Sequence, residues 1–267
     1  MPTPIDILFD PISLAAIAIF AAFALWEAIA PGRTLPHVRG WRVRGLAAFI
    51  AYVMVSTYLP LLWTEQLSAW QLLDLTSLGT WGGAATGLLV YEAMAYFWHR
   101  SMHGADWLWR GLHQMHHSSE RLDTFSAFWF SPLDMAGWTA VSSLALTLVI
   151  GITAEATTVV LLAVTLLAIF QHANVRTPRW LGYFVQRPES HSYHHARGHH
   201  TGNFADLPAF DIAFGTFFNP RAFAPAAGFY EGASARLADM LRWRDVSAPS
   251  PGEAAAEALR PLGFTHD

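Results

Sequence analysis

TWGGAATGLLVYEAMAYFWHRSMH, residues 80–103, carries an apolar stretch the length of a membrane span and ends it on two histidines four residues apart. A helix needs about 20 apolar residues to cross the hydrocarbon core of a bilayer. Residues 80–98 meet that length. If the helix continues past the membrane, His99 and His103 fall on one face just beyond it. Imidazole is the commonest protein metal ligand, so this segment predicts a helical membrane protein with a metal site at the membrane surface.

The same punctuation recurs along the chain. Eleven of the thirteen histidines lie in two windows, 99–117 and 172–200, and each window opens where an apolar segment stops. After His99 and His103 come His113, His116 and His117, then the isolated His172, then His191, His194 and His195. A lone histidine is ordinarily a satisfied core or surface residue. Eight of them in three boxes at helical spacing point instead to several imidazoles converging on one place.

Composition supports the membrane reading. Hydrophobic residues make up 53% of the chain and charged residues 13%, against about 25% charged in a typical soluble protein. The mean hydropathy is +0.29. The net charge of −4, with no basic run, excludes the electrostatic footprint of a nucleic-acid binder. Cysteine is absent, which removes disulfides, thiolate ligands and iron–sulfur clusters, so any metal must be held by nitrogen and oxygen. Asp6 and Asp10 precede the first apolar run and the first basic residue is Arg33, a start without the positive region of a cleaved signal.

Residues 11–30, 45–63 and 80–98 read as three spans. The region 136–171 is interrupted at Gly151-Ile152-Thr153-Ala154-Glu155, leaving halves of roughly 16 residues, short for full spans and expected as a tight hairpin that does not cross completely. Arg33, Arg39, Arg42 and Arg44 crowd the loop 31–44, while the loop 64–79 has no basic residue, so the arginine loop should be cytoplasmic. Threading on from there delivers both histidine windows to the cytoplasmic face, where one site can use both.

The expected fold is an all-α integral membrane domain over residues 1–245, a bundle of about four to five membrane helices including the hairpin, capped by cytoplasmic helices that carry the histidine boxes. The histidine core covers about residues 80–220, and 246–267 read as a C-terminal tail. The expected location is the inner, cytoplasmic membrane with the histidines facing the cytoplasm.

Three classes of chemistry fit such a set: a zinc hydrolase, a metal transporter and an oxygen-using iron enzyme. Catalytic zinc takes three protein ligands, so eight to ten imidazoles exceed one zinc and suit two neighbouring metals. There is no H-E-x-x-H arrangement in the chain. A transporter places its ligands near the bilayer midplane, whereas these lie past the ends of spans. Glu92 shares a helix face with His99 and His103, about 10 Å below the former, which suits a supporting or cavity role, or equally structural helix–helix bonding, over direct ligation. Asn174 and Asp211 are candidates to orient imidazoles through their free N–H groups, although capping is the ordinary use of such residues.

HRSMH at 99–103, HQMHH at 113–117, QHANV at 171–175 and HSYHH at 191–195, followed by NF at 203–204 and FDIAFGTF at 210–217, together resemble the fatty acid hydroxylase and sterol desaturase superfamily of membrane non-haem di-iron enzymes. The resemblance implies a helical cap over a membrane bundle with the metals at their junction. It implies His99, His103, His113, His116, His117, His191, His194 and His195 as ligands, with His172 as a ninth. The chain departs from the family pattern at ARGHHTG, 196–202, which is short and adds His199 and His200 as supplementary candidates or simply loop histidines.

The activity implied is O2-dependent hydroxylation of an unactivated C–H bond in a fatty acyl, sterol or related lipid, with two iron ions as cofactor and O2 as co-substrate. Desaturation is the nearest rival, since both reactions start from the same hydrogen abstraction. A non-catalytic metal-binding or transport protein is the reading from another class. Imidazole ligands suit zinc as well as iron. No flavin, nicotinamide, haem or iron–sulfur fingerprint is present, so an external electron donor is implied, a ferredoxin or cytochrome type with its reductase.

Overall fold

Asp10 and Pro11 start the first long helix, the Asp10 carboxylate accepting from the Ile12 N–H at 2.9 Å and the proline occupying the first turn, where its missing N–H is not needed. In the computed structural model, which describes residues 1–249, the principal helices are α1 (Pro11–Ile29), α2 (Trp41–Tyr58), α3 (Gly79–Gly104), α4 (Pro132–Ser143), α5 (Ala154–His172), α6 (Pro188–His194) and α7 (Ala209–Phe214). Among the described residues there is no β-strand, only an isolated bridge between Ala196 and Ala227. The fold is all-α, as the apolar periodicity predicts.

Three helical stretches are long and apolar enough to cross a membrane: Pro11–Ile29, Trp41–Leu62 and Ala154–His172. This is fewer than the expected four to five, and the differences have physical causes. The expected third span lies in α3, 26 residues long. Thr80, Thr86, Glu92 and the terminal Arg100 dilute its hydropathy, and it buries Gly83, Gly87, Tyr91, Glu92, Ala95, Tyr96 and His99 in the protein interior. α3 is therefore a central helix.

The hairpin also differs from expectation. Its first arm starts at Pro132, capped by Ser131, and runs on as a π-helical turn over Leu144–Val149. Its second arm, α5, has 19 residues and is long enough to span. Thr153 caps it and Glu155 sits in its first turn, where a carboxylate complements the helix dipole, so the helix begins before the apolar run does.

α3 and α5 form the axis of the molecule. A Cβ at Gly83 would lie 3.0 Å from the Ala156 Cβ, and one at Gly87 2.9 Å from the Ile152 side chain, so these glycines set the close approach. α1 and α2 pack alongside through an aromatic seam, with Phe20 stacked on Phe49 at 4.5 Å and Phe23 against Phe170 at 6.1 Å. The strap 124–130 crosses the end of α2, where Tyr52 stacks on Phe128 at 4.8 Å. The described residues after α5 fold back over the ends of α3 and α5. The chain is still held at Val246, which is fully buried and donates its N–H to the Gln114 Oε1 at 3.2 Å. Residues 250–267, most of the expected tail, lie outside the described residues.

Candidate metal centre

The last two turns of α3 present His99 and His103 on one face. The chain then turns through a short helical run, α-helical over Asp106–Leu108, π-helical over Trp109–His113 and α-helical again over Gln114–His117. That run brings His113, His116 and His117 against the first pair. His172 is the last residue of α5, and α6 carries His191 and His194, with His195 at its C-cap. All nine expected ligands meet here.

They divide into two groups whose nitrogens lie within 4.8 Å of one another: His99, His103, His113, His117 and His194 in one, His116, His172, His191 and His195 in the other. Helical phase explains the division. His113 and His117 are four residues apart and share a face, whereas His116 is rotated about 100° from its neighbour. The second box does the same in the opposite sense, sending His191 and His195 to the second group and His194 to the first. The boxes at 113–117 and 191–195 thus each serve both groups, while His99 and His103 serve the first alone; the groups share a wall where His117 stacks on His195.

Hydrogen bonding assigns the tautomers. The His99 Nδ1–H donates to the Phe204 carbonyl at 2.7 Å, that of His194 to the Gly202 carbonyl at 2.7 Å and that of His172 to the Ala168 carbonyl at 2.7 Å. The His113 Nδ1–H donates to the Asp134 carboxylate at 2.9 Å. A neutral imidazole has one N–H, so in each of these rings Nε2 is left as a lone pair. The Nε2 atoms of His99 and His113 face each other at 2.9 Å with no proton between them. Those of His116 and His191 each lie 3.1 Å from the lone pair of His172, and His195 adds another 3.1 Å from His191. The Nε2 atoms of His117 and His194 are buried without a hydrogen-bond partner. In the first group lone pairs converging at this separation repel unless a cation lies among them, and in the second the Nδ1 atoms of His116, His191 and His195 are buried without a partner while their Nε2 atoms crowd together, so both groups fit a metal ion.

Burial keeps the rings ready to ligate. It pushes His113 down to about 3, and holds His116, His117, His191, His194 and His195 well below the ordinary histidine value, with neighbouring imidazoles adding to the effect. At neutral pH these imidazoles are uncharged, the form that binds metal.

The other candidates hold the frame. Asp211 accepts from the N–H groups of Phe204 at 2.8 Å and Ala205 at 2.9 Å and from the Thr216 hydroxyl at 2.6 Å. It touches no imidazole and acts on His99 only by fixing the loop whose Phe204 carbonyl that ring uses. Glu92 is buried and accepts from the Leu207 N–H at 3.0 Å, tying α3 to the same loop. Asn174 pairs through its side chain with both main-chain groups of Arg33, far from the task of orienting a ring. His199 is exposed, while His200 has its Nδ1 3.1 Å from the Nδ1 of His117. Asp134 escapes a reading of the sequence, because an aspartate in the first turn after Ser131-Pro132 looks like an ordinary helix-start residue.

Beside the histidines opens a largely apolar cavity. Phe128, Phe130, Trp138, Val164 and Ala168 line it, and His99, His113, His116 and His172 form part of its wall. Those four rings come from both groups.

Comparison with known proteins agrees with this geometry. The family model described as fatty acid hydroxylase matches residues 84–216, the span from the second turn of α3 to just past α7. No match was found among curated proteins or among solved structures.

Proposed function

This chain belongs to the fatty acid hydroxylase family through residues 84–216, and from that premise we propose that it is a membrane di-iron hydroxylase, using O2 to oxidise an unactivated C–H bond of a fatty acyl, sterol or related lipid. One observation carries the reading: the apolar cavity is bounded by His99 and His113 of the first group and His116 and His172 of the second, so a lipid chain within it lies against both metal positions.

Two bound irons supply the reductive activation of dioxygen that hydrogen abstraction from such a bond demands. The chain supplies the rest. The nine imidazoles of the two groups hold the metals, and Asp134 and the carbonyls of Phe204, Gly202 and Ala168 fix ring orientation. Phe128, Phe130 and Trp138 exclude water from the reacting bond and seat the apolar substrate. The electrons come from a separate ferredoxin or cytochrome-type donor with its reductase, docking on the face that carries the histidine cap. We assign that face to the cytoplasm, with the protein in the inner membrane, because Arg33 and Arg39 lie in the loop between α1 and α2 and Arg42 and Arg44 in the first turn of α2.

The test is lipid mass spectrometry of a host expressing the chain or its His194→Ala variant. Gain of one oxygen in a host lipid, lost with His194→Ala, is the expected result. Loss of two hydrogens would make the enzyme a desaturase, and an unchanged lipid profile despite stoichiometric metal would leave a metal-binding protein.

A further inference from the structure

The cavity has a polar pole that the metal site does not use. Tyr52, Tyr91 and Asp206 line it together with the apolar residues and the four histidines. Asp206 accepts from the Gln171 Nε2 through Oδ1 at 2.7 Å, and its Oδ2 makes no hydrogen bond among the described residues. Neither tyrosine hydroxyl has a hydrogen-bond partner there either, although Tyr91 is only 7% exposed. Buried tyrosine hydroxyls ordinarily find a partner. Here the rings are held: Tyr52 is packed between Phe128, stacked at 4.8 Å, and Phe130, edge-on at 6.0 Å. Two O–H donors and one carboxylate acceptor therefore line an otherwise greasy wall.

We propose that this cavity binds a neutral lipid alcohol, its hydroxyl held by Tyr52, Tyr91 and Asp206 and the C–H bonds near that hydroxyl turned toward the histidines. The inference rests on the cavity being the substrate site of the proposed hydroxylase, and it narrows the substrate class. A hydroxyl has one proton to donate and two lone pairs to accept with, which matches one carboxylate oxygen and two tyrosine hydroxyls. An alkane would leave all three groups desolvated and unpaired. A fatty carboxylate would set a second carboxyl group beside Asp206 in a low-dielectric slot, where two negative charges cannot both persist. Because the polar pole and the histidines line the same cavity, oxidation should fall close to the hydroxyl-bearing end and not at the far end of the chain.

Binding can be measured without turnover. The intact, iron-loaded protein in phosphatidylcholine nanodiscs, kept anaerobic and without an electron donor, is titrated with 1-hexadecanol, hexadecane and palmitate, following the fluorescence of tryptophan, since Trp138 lines the cavity. Hexadecanol should bind about tenfold more tightly than either of the others. Tyr52→Phe and Tyr91→Phe should each weaken hexadecanol without changing hexadecane, and Asp206→Asn should improve palmitate, an effect that a purely structural aspartate would not give. Equal affinities for the three lipids, or variants that leave the ratios unchanged, would overturn the proposal. Oxidation of lipids without alcohol preference would sink this inference and leave the hydroxylase standing; alcohol preference without any oxidised product would do the reverse.

Discussion

His117 lies flat on His195, ring centroids 4.1 Å apart and planes 13° from parallel, although the two rings belong to different ligand groups. The two histidine groups that could hold metal thus share a wall of imidazole, and a change on one side of it should reach the other. His194 and His191 do not sit in that stack.

Removing a ligand confined to one group should therefore empty one position. His194→Ala and His191→Ala are each expected to lose about one metal equivalent per chain. His117→Ala should lower both occupancies, because it also takes away the support of His195. Elemental analysis of protein prepared from iron-replete membranes reads the difference, and a His117→Ala protein that loses no more metal than His194→Ala would show that the stack transmits nothing.

Asp134 is the only carboxylate seen to hold a ligand ring among the described residues, fixing the His113 Nδ1–H at 2.9 Å while both groups are buried. A carboxyl oxygen that accepts the ring's free N–H locks the tautomer and orientation of the ligand, and losing such a partner typically costs 10–100-fold in metal affinity. Asp134→Asn should fall in that range by chelator competition, with helical content by circular dichroism unchanged. Affinity equal to that of the parent protein would reduce Asp134 to packing.

The histidine boxes were legible because they combine two periodicities: apolar runs of membrane length, and ring pairs four residues apart. Those rules give the eight boxed histidines and the membrane setting, whereas the isolated His172 enters only through the family resemblance. They do not give the division of the boxes at 113–117 and 191–195 between two groups, which depends on how α6 meets the 106–117 run in space. They also overcount spans, since an apolar helix buried in a bundle and one facing lipid read alike; α3 differs from α1 in its polar residues Thr80, Thr86 and Glu92 and in the larger share of its residues that lies in the interior. Asp134 and Tyr52 are invisible as a site in the sequence because each reads locally as a helix-start or core residue. Asn174 was misjudged for the converse reason: it stands two residues after a ligand, yet its side chain turns away to Arg33.

Acidification should destabilise the metal-free protein below the ordinary histidine value. An unfolded chain takes up protons on its imidazoles near pH 6.5, whereas burial holds His113 down to about 3 and His116, His117, His191, His194 and His195 well below their usual value. Between those limits the unfolded state binds more protons, so stability is complete above about pH 6.5 and is lost as the pH falls toward the folded values. Each ring that stays neutral contributes a slope of up to about 1.4 kcal/mol per pH unit. Thermal melting of chelator-treated protein in detergent should show a steep loss of Tm from about pH 6.5 downward, shallower in His194→Gln. A Tm independent of pH across that window would mean that the rings protonate in place.

His200 offers a case in which stability and metal binding should move in opposite directions. Its backbone is left-handed, φ 45°, a conformation that costs a residue with a Cβ about 1–2 kcal/mol and a glycine almost nothing. Its ring lies with Nδ1 3.1 Å from the Nδ1 of His117, where it can take the His117 proton and leave Nε2 as the lone pair turned toward the first group. His200→Gly removes the strain and the proton acceptor together. The metal-free variant should melt higher than its parent, while its metal affinity falls by about tenfold, at the lower end of the usual cost of losing a supporting partner. His199→Ala, at an exposed position next door, should change neither quantity. If His200→Gly melts higher and binds metal as tightly as before, His200 is a loop residue with no bearing on His117; if it loses both, the ring also holds the loop in place.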